Sequence, residues 1–256
     1  MKSIILFISF VAFCVQCTAQ TTRIPSGVYH WAEVPVTKSA DGEIREFMKG
    51  ATAECSLLEI HATTQQKGAA TKPRAQKDIE EFIIVKVGKM KVAIGTKTEI
   101  LGKGSAVLVP PLQKLTIENA GDGELTYYTL QFRSKRPVDL QRSAKAGGAL
   151  MINADTLQYK PSAIGGGMKY IQRSTAMLNE LEMHMTELKP KTPSHPPHTH
   201  IDSELILMLE GHTEQLINGK TYQGTAGDMY LMNSNELHGI KNIEDVPCKY
   251  LAIRWK

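Results

Sequence analysis

The chain has 256 residues, with 30 Lys and Arg against 26 Asp and Glu, and a formal net charge of +4. Hydrophobic residues make up 42% and charged residues 22%, which supplies a packed core and excludes a wholly disordered chain. So small a net charge excludes an electrostatic footprint for nucleic acid, and we expect no nucleic-acid partner. The length allows one large domain or two of about 120 residues.

The N-terminus is predicted to be a secretory signal peptide over residues 1–19. Lys2 supplies a positive charge, residues 4–15 form an apolar run, and Cys17 and Ala19 are small residues where a signal peptidase cleaves. The run is shorter than the roughly 20 residues of a spanning helix, so we expect no stable membrane anchor and an exported protein, periplasmic or secreted. A lipoprotein with its lipid on Cys17 is the alternative.

Short apolar runs separated by turn residues predict strands through the rest of the chain. The turn signals recur at intervals of about 8 to 12 residues. In the first half they bound the predicted strands 82–87, 90–95, 106–109, 114–117 and 126–132. No pattern of a long amphipathic helix is present. This organisation is typical of a small antiparallel barrel or jelly roll, so the predicted fold class is all-β.

An internal repeat indicates two such barrels in tandem. Residues 58–61 (Leu-Glu-Ile-His) and 181–184 (Leu-Glu-Met-His) lie 123 positions apart. The same offset relates Glu81 to Glu204, and it relates four further pairs: Gly88 and Gly211, Gly104 and Gly227, Tyr127 and Tyr250, Phe132 and Trp255. One constant offset over such a span indicates two copies of one domain.

The predicted domains are residues 22–140 and 145–256. The connection over 133–148 is basic and ends in small residues, which is a linker composition. Removal of the signal peptide leaves Cys55 and Cys248, which could form a disulfide in an exported compartment. Neither lies in a CxxC pattern, and the interpretation we favour is two buried thiols that pack as small hydrophobic groups.

A pattern of metal ligands is present in the second copy only. His198 and His200 are two residues apart, so both imidazoles lie on one face of an extended strand, and Glu204 shares that face if the chain stays extended. His238 is the fourth candidate ligand. Neutral imidazole and carboxylate suit one divalent transition metal: Mn, Fe, Ni, Cu or Zn.

The segments around these ligands resemble the two signature motifs of the cupin superfamily. The first motif runs from the position of Thr192 to Gly211 and the second from Gly227 to Asn242. Three positions depart from the family pattern at turn residues and leave every ligand position intact: Thr192, Asn233 and Asn235. The resemblance implies a bicupin, two tandem small jelly-roll barrels, with a metal held by three histidines and one glutamate of the second barrel.

The first copy has lost the histidines. At the offset of 123 it carries Ala75, Lys77 and Leu115 in their places and keeps only Glu81. A lone carboxylate beside Lys77 cannot hold a transition metal, so we predict one metal per chain. The first barrel is then expected to be structural, to form a homodimer contact or to shape the substrate site.

Glu182 and His184 are candidate catalytic residues, because they share a face of the strand before the first motif. The first copy has Glu59 and His61 at the same places although it lacks the ligands, which favours a structural role. His195 could line the mouth of the site, although we favour a solvated loop residue. Four more side chains could contact substrate, or lie in the core or on the surface: Tyr170, Arg173, Tyr230 and Arg254.

The resemblance implies two classes of function. Cupins with this ligand set include dioxygenases, sugar and sugar-phosphate isomerases, oxalate-degrading enzymes and aminohydrolases. Because we expect an exported protein, we favour a metal-dependent enzyme whose partner is a small oxygen-rich molecule, a carbohydrate or a phenolic. The alternative is a non-catalytic cupin that binds a small molecule or a sugar.

Overall fold

The computed structural model describes residues 22–256, and the predicted signal peptide of residues 1–19 lies outside this range. No helix within it is long and apolar enough to cross a membrane. Ten strands come first: β1 (Gly27–Tyr29), β2 (Val36–Ser39), β3 (Gly42–Gly50), β4 (Cys55–Gln65), β5 (Glu80–Val87), β6 (Met90–Ile94), β7 (Lys97–Leu101), β8 (Ala106–Val109), β9 (Leu115–Asn119) and β10 (Leu125–Ser134). After the helix α1 (Leu140–Lys145) come β11 (Leu150–Ile152), a 3-10 turn (Ala154–Thr156), β12 (Lys160–Ser162), β13 (Gly165–Arg173), β14 (Leu181–Leu188), β15 (Ser203–Glu210), β16 (His212–Ile217), β17 (Lys220–Thr225), β18 (Met229–Met232), β19 (His238–Asn242) and β20 (Cys248–Trp255).

Each half of the chain builds a barrel from one seven-stranded and one three-stranded sheet. The first barrel has the strand order β11-β8-β5-β10-β4-β3-β2 and a smaller sheet β7-β6-β9. The second has β1-β18-β15-β20-β14-β13-β12 and a smaller sheet β17-β16-β19. The paired strands within these sheets are antiparallel. This confirms the predicted all-β fold of two tandem small jelly-roll barrels.

The two barrels exchange their edge strands. Strand β1 pairs with β18 of the second barrel, and β11 pairs with β8 of the first. Residues 27–29 and 150–152 are equivalent at the offset of 123, so the exchange is reciprocal. The ranges 22–140 and 145–256 therefore describe the repeat in the sequence, whereas each large sheet receives one edge strand from the other range.

Three separate clusters of buried side chains form the core, one inside each barrel and one between the two large sheets. The central strand β5 shows how one sheet serves two cores. Ile83 and Val85 face the interior of the first barrel, while Phe82 and Ile84 face the core between the sheets. Because both faces are buried, the strand reads as a continuous apolar run, without the alternation of a half-exposed strand.

The core between the sheets joins equivalent residues of the two copies. The rings of Phe132 and Trp255 meet edge to face with their centroids 5.6 Å apart. Cys55 is buried in this same core, whereas Cys248 is buried inside the second barrel, and both thiols are free. Burial raises the pKa of the Cys55 thiol to about 12, as expected for a cysteine that packs as a hydrophobic group.

Two kinds of glycine turn close the strands where the sequence predicts them. Asn218 and Gly219 have φ angles of 47° and 80° and form the two-residue turn between β16 and β17, which suits the twist of a hairpin. Gly211 has a φ of 81°, and a Cβ atom there would lie 2.7 Å from the Cβ atom of Cys248. Glycine is therefore required at this turn.

The connection over 133–148 is more regular than its linker composition predicts. Its first two residues extend β10, and α1 begins after Asp139, whose side chain accepts a hydrogen bond from the Arg142 amide. Arg173 donates hydrogen bonds to the carbonyl oxygens of Ala146 and Gly148. Arg173, a candidate substrate contact in the sequence, thus holds the connection against the second barrel.

Candidate metal centre

His198 and His200 lie outside the strands, in the segment before β15, and the chain does not stay extended from them to Glu204. The backbone of His198 exchanges two hydrogen bonds of 3.0 Å with the backbone of His238. The chain then bends at residues 201–202 before β15 begins. A loop pinned to the start of β19, together with this bend, brings the two histidines towards the strand that carries Glu204.

The structure brings the four predicted ligands together. The ligand atoms of His198, His200 and His238 lie within 4.8 Å of one another. The Oε2 atom of Glu204 lies 3.0 Å from Nε2 of His200 and 3.2 Å from Nε2 of His238. His238 is buried, and His198 is the most exposed of the three histidines.

The donor set fits a cation. Nδ1 of His200 lies 3.0 Å from the carbonyl oxygen of Asp202, and Nδ1 of His238 lies 2.7 Å from that of Glu236. Carbonyl oxygens only accept, so each Nδ1 carries the hydrogen and each Nε2 directs a lone pair at Glu204. Two acceptors at such distances need a positive charge between them, a proton or a metal ion. Three imidazoles and one carboxylate are suited to a divalent transition metal.

The pKa values of Glu204 and His198 are shifted towards the forms that ligate metals, whereas the pKa of His238 is shifted towards its protonated form. Burial by itself would raise the pKa of Glu204, but contacts with His200 and His238 outweigh it and lower that pKa to about 2. Burial acts to lower the pKa of His238, and the contact with Glu204 raises it overall. Burial, and then the neighbouring imidazoles, lower the pKa of His198. A charged carboxylate and a neutral His198 are the forms that ligate metals.

A cavity of about 280 Å³ opens beside the four ligands inside the second barrel. Gln215 is buried in its wall, and its Oε1 atom has no hydrogen-bond partner. The first copy has Val92 at the equivalent position, so an amide has replaced an apolar core residue only where the ligands are. Gln215 was not identified from the sequence. The signal that could have identified it was a polar residue at one of the inward-facing positions of β16. Other polar side chains that line the cavity are His184, Thr186, Ser194, His195, Tyr250 and Arg254.

The turn before His238 is held by the N-terminal segment of the chain. The side-chain amide of Asn233 donates to the Ile24 carbonyl oxygen at 3.0 Å and to the Ser26 hydroxyl at 2.6 Å. The backbone amide of Asn233 donates to the side chain of Glu236 at 3.1 Å. The departure at Asn233 from the family motif therefore creates a contact between the segment preceding β1 and the turn that presents a ligand.

We expect Asn233→Ala to weaken metal binding about tenfold, because the turn that carries His238 loses its anchor. Competition with a chromophoric chelator measures the affinity. The control is Asn235→Gly in the same turn, because Asn235 has a φ of 63° that glycine adopts freely and its side chain hydrogen-bonds only the Ser234 hydroxyl. An equal loss in the two variants would contradict a specific role for Asn233.

The first barrel fills the equivalent position with an arginine. Arg74 donates to both carboxylate oxygens of Glu81, at 3.3 Å and 2.8 Å, and Gln131 donates to Glu81 at 3.1 Å. Lys77, which the sequence placed beside Glu81, is exposed. The space beside Arg74 and Glu81 is only about 10 Å³. In the first barrel a guanidinium group thus neutralises Glu81, whereas the equivalent Glu204 of the second barrel faces the histidines.

Glu182 and His184 lie on the same face of β14, and His184 lines the metal cavity. Nδ1 of His184 is 3.3 Å from the Glu182 carboxylate, which also pairs with Arg254. His184 and Arg254 both line the cavity beside Glu204. Arg254 is therefore the one of the four candidate substrate contacts that the structure places at the cavity.

The remaining candidates lie at different depths. His195 is an exposed loop residue, as we favoured, yet it also lines the cavity, with its ring 4.3 Å from that of His198. Tyr230 is fully buried and hydrogen-bonds Thr213. Tyr170 packs against the core between the sheets.

The sequence motifs and the fold agree with one family. A family model described as Cupin domain matches residues 62–130 and 184–254, one segment in each barrel. The chain belongs to the cupin family. Two matches in one chain make it a bicupin, and the second match includes all four residues of the histidine and glutamate cluster. No curated protein matches this bicupin.

Solved structures of other proteins have the same fold at low sequence identity. The Ylba protein of E. coli superposes with a TM-score of 0.70 at 16% identity, over 90% of both chains. An oxalate decarboxylase of Lactobacillus farciminis, solved with formate, gives 0.69 at 12% identity over 90% of this chain and 86% of that chain. An oxalate decarboxylase of Bacillus subtilis described with Mn(II) centres gives 0.65 at 14% identity over 90% and 77%. At these identities the likeness concerns the fold.

Proposed function

We propose that this bicupin is an exported enzyme that acts on a small oxygen-rich molecule, a carbohydrate or a phenolic, with one divalent transition metal in its second barrel. The observation that carries the proposal is the convergence of three imidazoles and a carboxylate, of which His198, His238 and Glu204 line a cavity of about 280 Å³. Mn, Fe, Ni, Cu or Zn suits this donor set, and the similar fold of a Bacillus subtilis protein with Mn(II) centres favours manganese.

His198, His200, Glu204 and His238 would hold the metal, which when bound polarises an oxygen atom of the ligand. The other cavity residues then have separate tasks. Arg254 and Gln215 orient the substrate: the positive charge of Arg254 attracts a substrate oxygen atom, and the free Oε1 atom of Gln215 accepts a hydrogen bond from a substrate hydroxyl group. Glu182 holds the hydrogen on Nδ1 of His184, so that Nε2 of His184 can accept a proton.

Metal analysis of protein purified without chelators tests the proposal. We expect one metal ion per chain, and a screen of carbohydrates and phenolics should then detect turnover that metal removal abolishes and metal replacement restores. Oxygen uptake with Fe or Cu would identify a dioxygenase, and turnover without uptake an isomerase or a hydrolase. A ligand that binds without turnover would instead support the non-catalytic binding protein, and metal-free protein from every preparation would contradict the proposal.

Export rests on the pattern of residues 1–19 and has its own test. We expect the protein recovered from outside the cytoplasm to begin at Gln20. A lipid on Cys17 would establish the lipoprotein alternative, and recovery of the uncut chain in the cytoplasm would contradict export.

A further inference from the structure

A larger cavity, of about 580 Å³, lies on the outer strands of the second barrel. It runs along β12, β13 and β14, which are the three strands at one edge of the large sheet. We call it the outer groove. Among its lining residues, those that share the barrel-facing side of the sheet include Lys160, Lys169, Gln172, His184 and Thr186.

The outer groove and the metal cavity adjoin each other. His184 and Thr186 line both of them. A row of paired residues also crosses the sheet from the metal cluster to the groove, in the order Glu204, Arg254, Glu182, Gln172. Each step is one strand spacing of about 4.8 Å, so the row spans roughly 14 Å.

The outer groove carries two lysines that are available to a ligand. Lys160 and Lys169 are both exposed, and Lys160 lies opposite Gly167, two residues before Lys169 on β13. Such diagonal neighbours on one face are about 7 to 8 Å apart, close enough for both cations to reach one anionic group. The carboxylates of β14 have other partners, because Glu182 pairs with Arg254 and Glu187 with Lys249.

The first barrel supplies an internal comparison. At the offset of 123, its residues corresponding to Lys160, Gly167 and Lys169 are Thr37, Ile44 and Glu46. The strand pairing confirms this equivalence, since Glu46 lies opposite His61 as Lys169 lies opposite His184. The copy without metal ligands therefore has a bulky apolar residue and an anion where the metal-binding copy has a glycine and a cation.

We infer that the outer groove binds the anionic end of the substrate, whose other end lies at the metal cluster, and that the substrate class is an acidic saccharide of at least two sugar units. The inference rests on the proposed function for the position of the reacting end. Length is one reason, because a two-carbon acid bound at the metal cluster would leave the groove empty. Charge is the other, because a carboxylate or sulfate on the distal sugar is complementary to the two lysines.

Calorimetric titration of the full, metal-loaded chain with digalacturonate and with its dimethyl ester tests the inference. We expect the acid to bind the wild type at least tenfold more tightly than the ester. Lys169→Glu introduces the residue type that the first barrel has at the equivalent position. It should weaken binding of the acid about tenfold and leave the affinity for the ester unchanged. Lys160→Thr should have a smaller effect in the same direction. The control Glu46→Lys changes the equivalent exposed position of the first barrel and should leave both affinities unchanged.

The outcomes separate this inference from the proposed function. Wild-type protein without metal defeats the proposed function, whether or not the acid binds. If the wild type holds one metal per chain but binds acid and ester equally, the groove inference alone is defeated. The same holds if Lys169→Glu binds the acid as tightly as the wild type does. A change of oligomeric state in Lys169→Glu, measured by sedimentation, would mean that a second copy covers the groove and would also overturn the inference.

Discussion

We expect His238→Ala to reduce the metal content from one ion per chain to less than a tenth of an ion, because it removes the buried ligand of the cluster. His238 is 3% exposed, and its Nδ1 atom is fixed by the carbonyl oxygen of Glu236. Loss of so well oriented a ligand should cost about 100-fold in affinity or more, beyond the loss usual for residues that only orient ligands. Elemental analysis after dialysis measures the content.

The first barrel provides matched controls for this variant. His61→Ala removes a histidine of the first barrel, and Lys77→Ala changes the residue equivalent to His200; both should retain one ion per chain. Circular dichroism should show unchanged strand content in all three proteins. Two ions per wild-type chain, or a full complement in His238→Ala, would contradict a single site in the second barrel.

We expect Arg74→Ala to destabilise the protein by about 2 to 4 kcal/mol, because it leaves the buried carboxylate of Glu81 without its cation. The side chain of Glu81 is 2% exposed and that of Arg74 is 30% exposed, so solvent screens the pair only from one side. Gln131 would still donate one hydrogen bond to Glu81. Thermal and urea unfolding of the metal-free protein measure the loss without a contribution from the second barrel's site.

The double variant Arg74→Ala, Glu81→Gln separates the charge from the packing. If the unpaired charge is the cause, replacement of Glu81 by a neutral amide should recover most of the lost stability, since an uncharged side chain is far less costly to bury. Equal stabilities of the single and double variants would show that the arginine acts through its apolar stem.

The barrels and the four ligands could be predicted because their signals are local. Predicted strands end at turn residues that have the expected positive φ angles, as at Asn218 and Gly211. The spacing of the histidines in the sequence does not depend on the path of the loop. The path itself could not be predicted. Whether the chain stays extended from His200 to Glu204 depends on tertiary contacts such as the backbone pairing of His198 with His238, some 40 positions away.

Two further features depend on contacts that no local pattern shows. Strands β1 and β11 have three residues each, too few for an alternation, and their partners are chosen by the packing of the whole molecule. Arg74 aligns with Pro197 at the offset of 123, outside every ligand position, so an inspection of ligand positions alone leads to Lys77. The signal that could have led to Arg74 was chemical: a glutamate in an apolar strand needs a cation nearby.

The reciprocal exchange of β1 and β11 makes the two barrels inseparable as folding units. A chain cut within the connection over 133–148 would yield an N-terminal fragment with β8 unpaired at its edge and a C-terminal fragment with β18 unpaired. Exposed edges of this kind promote association with other chains. The metal-free barrel thus completes the sheet of the metal-binding barrel, and any functional second half must retain the first half as part of its own structure.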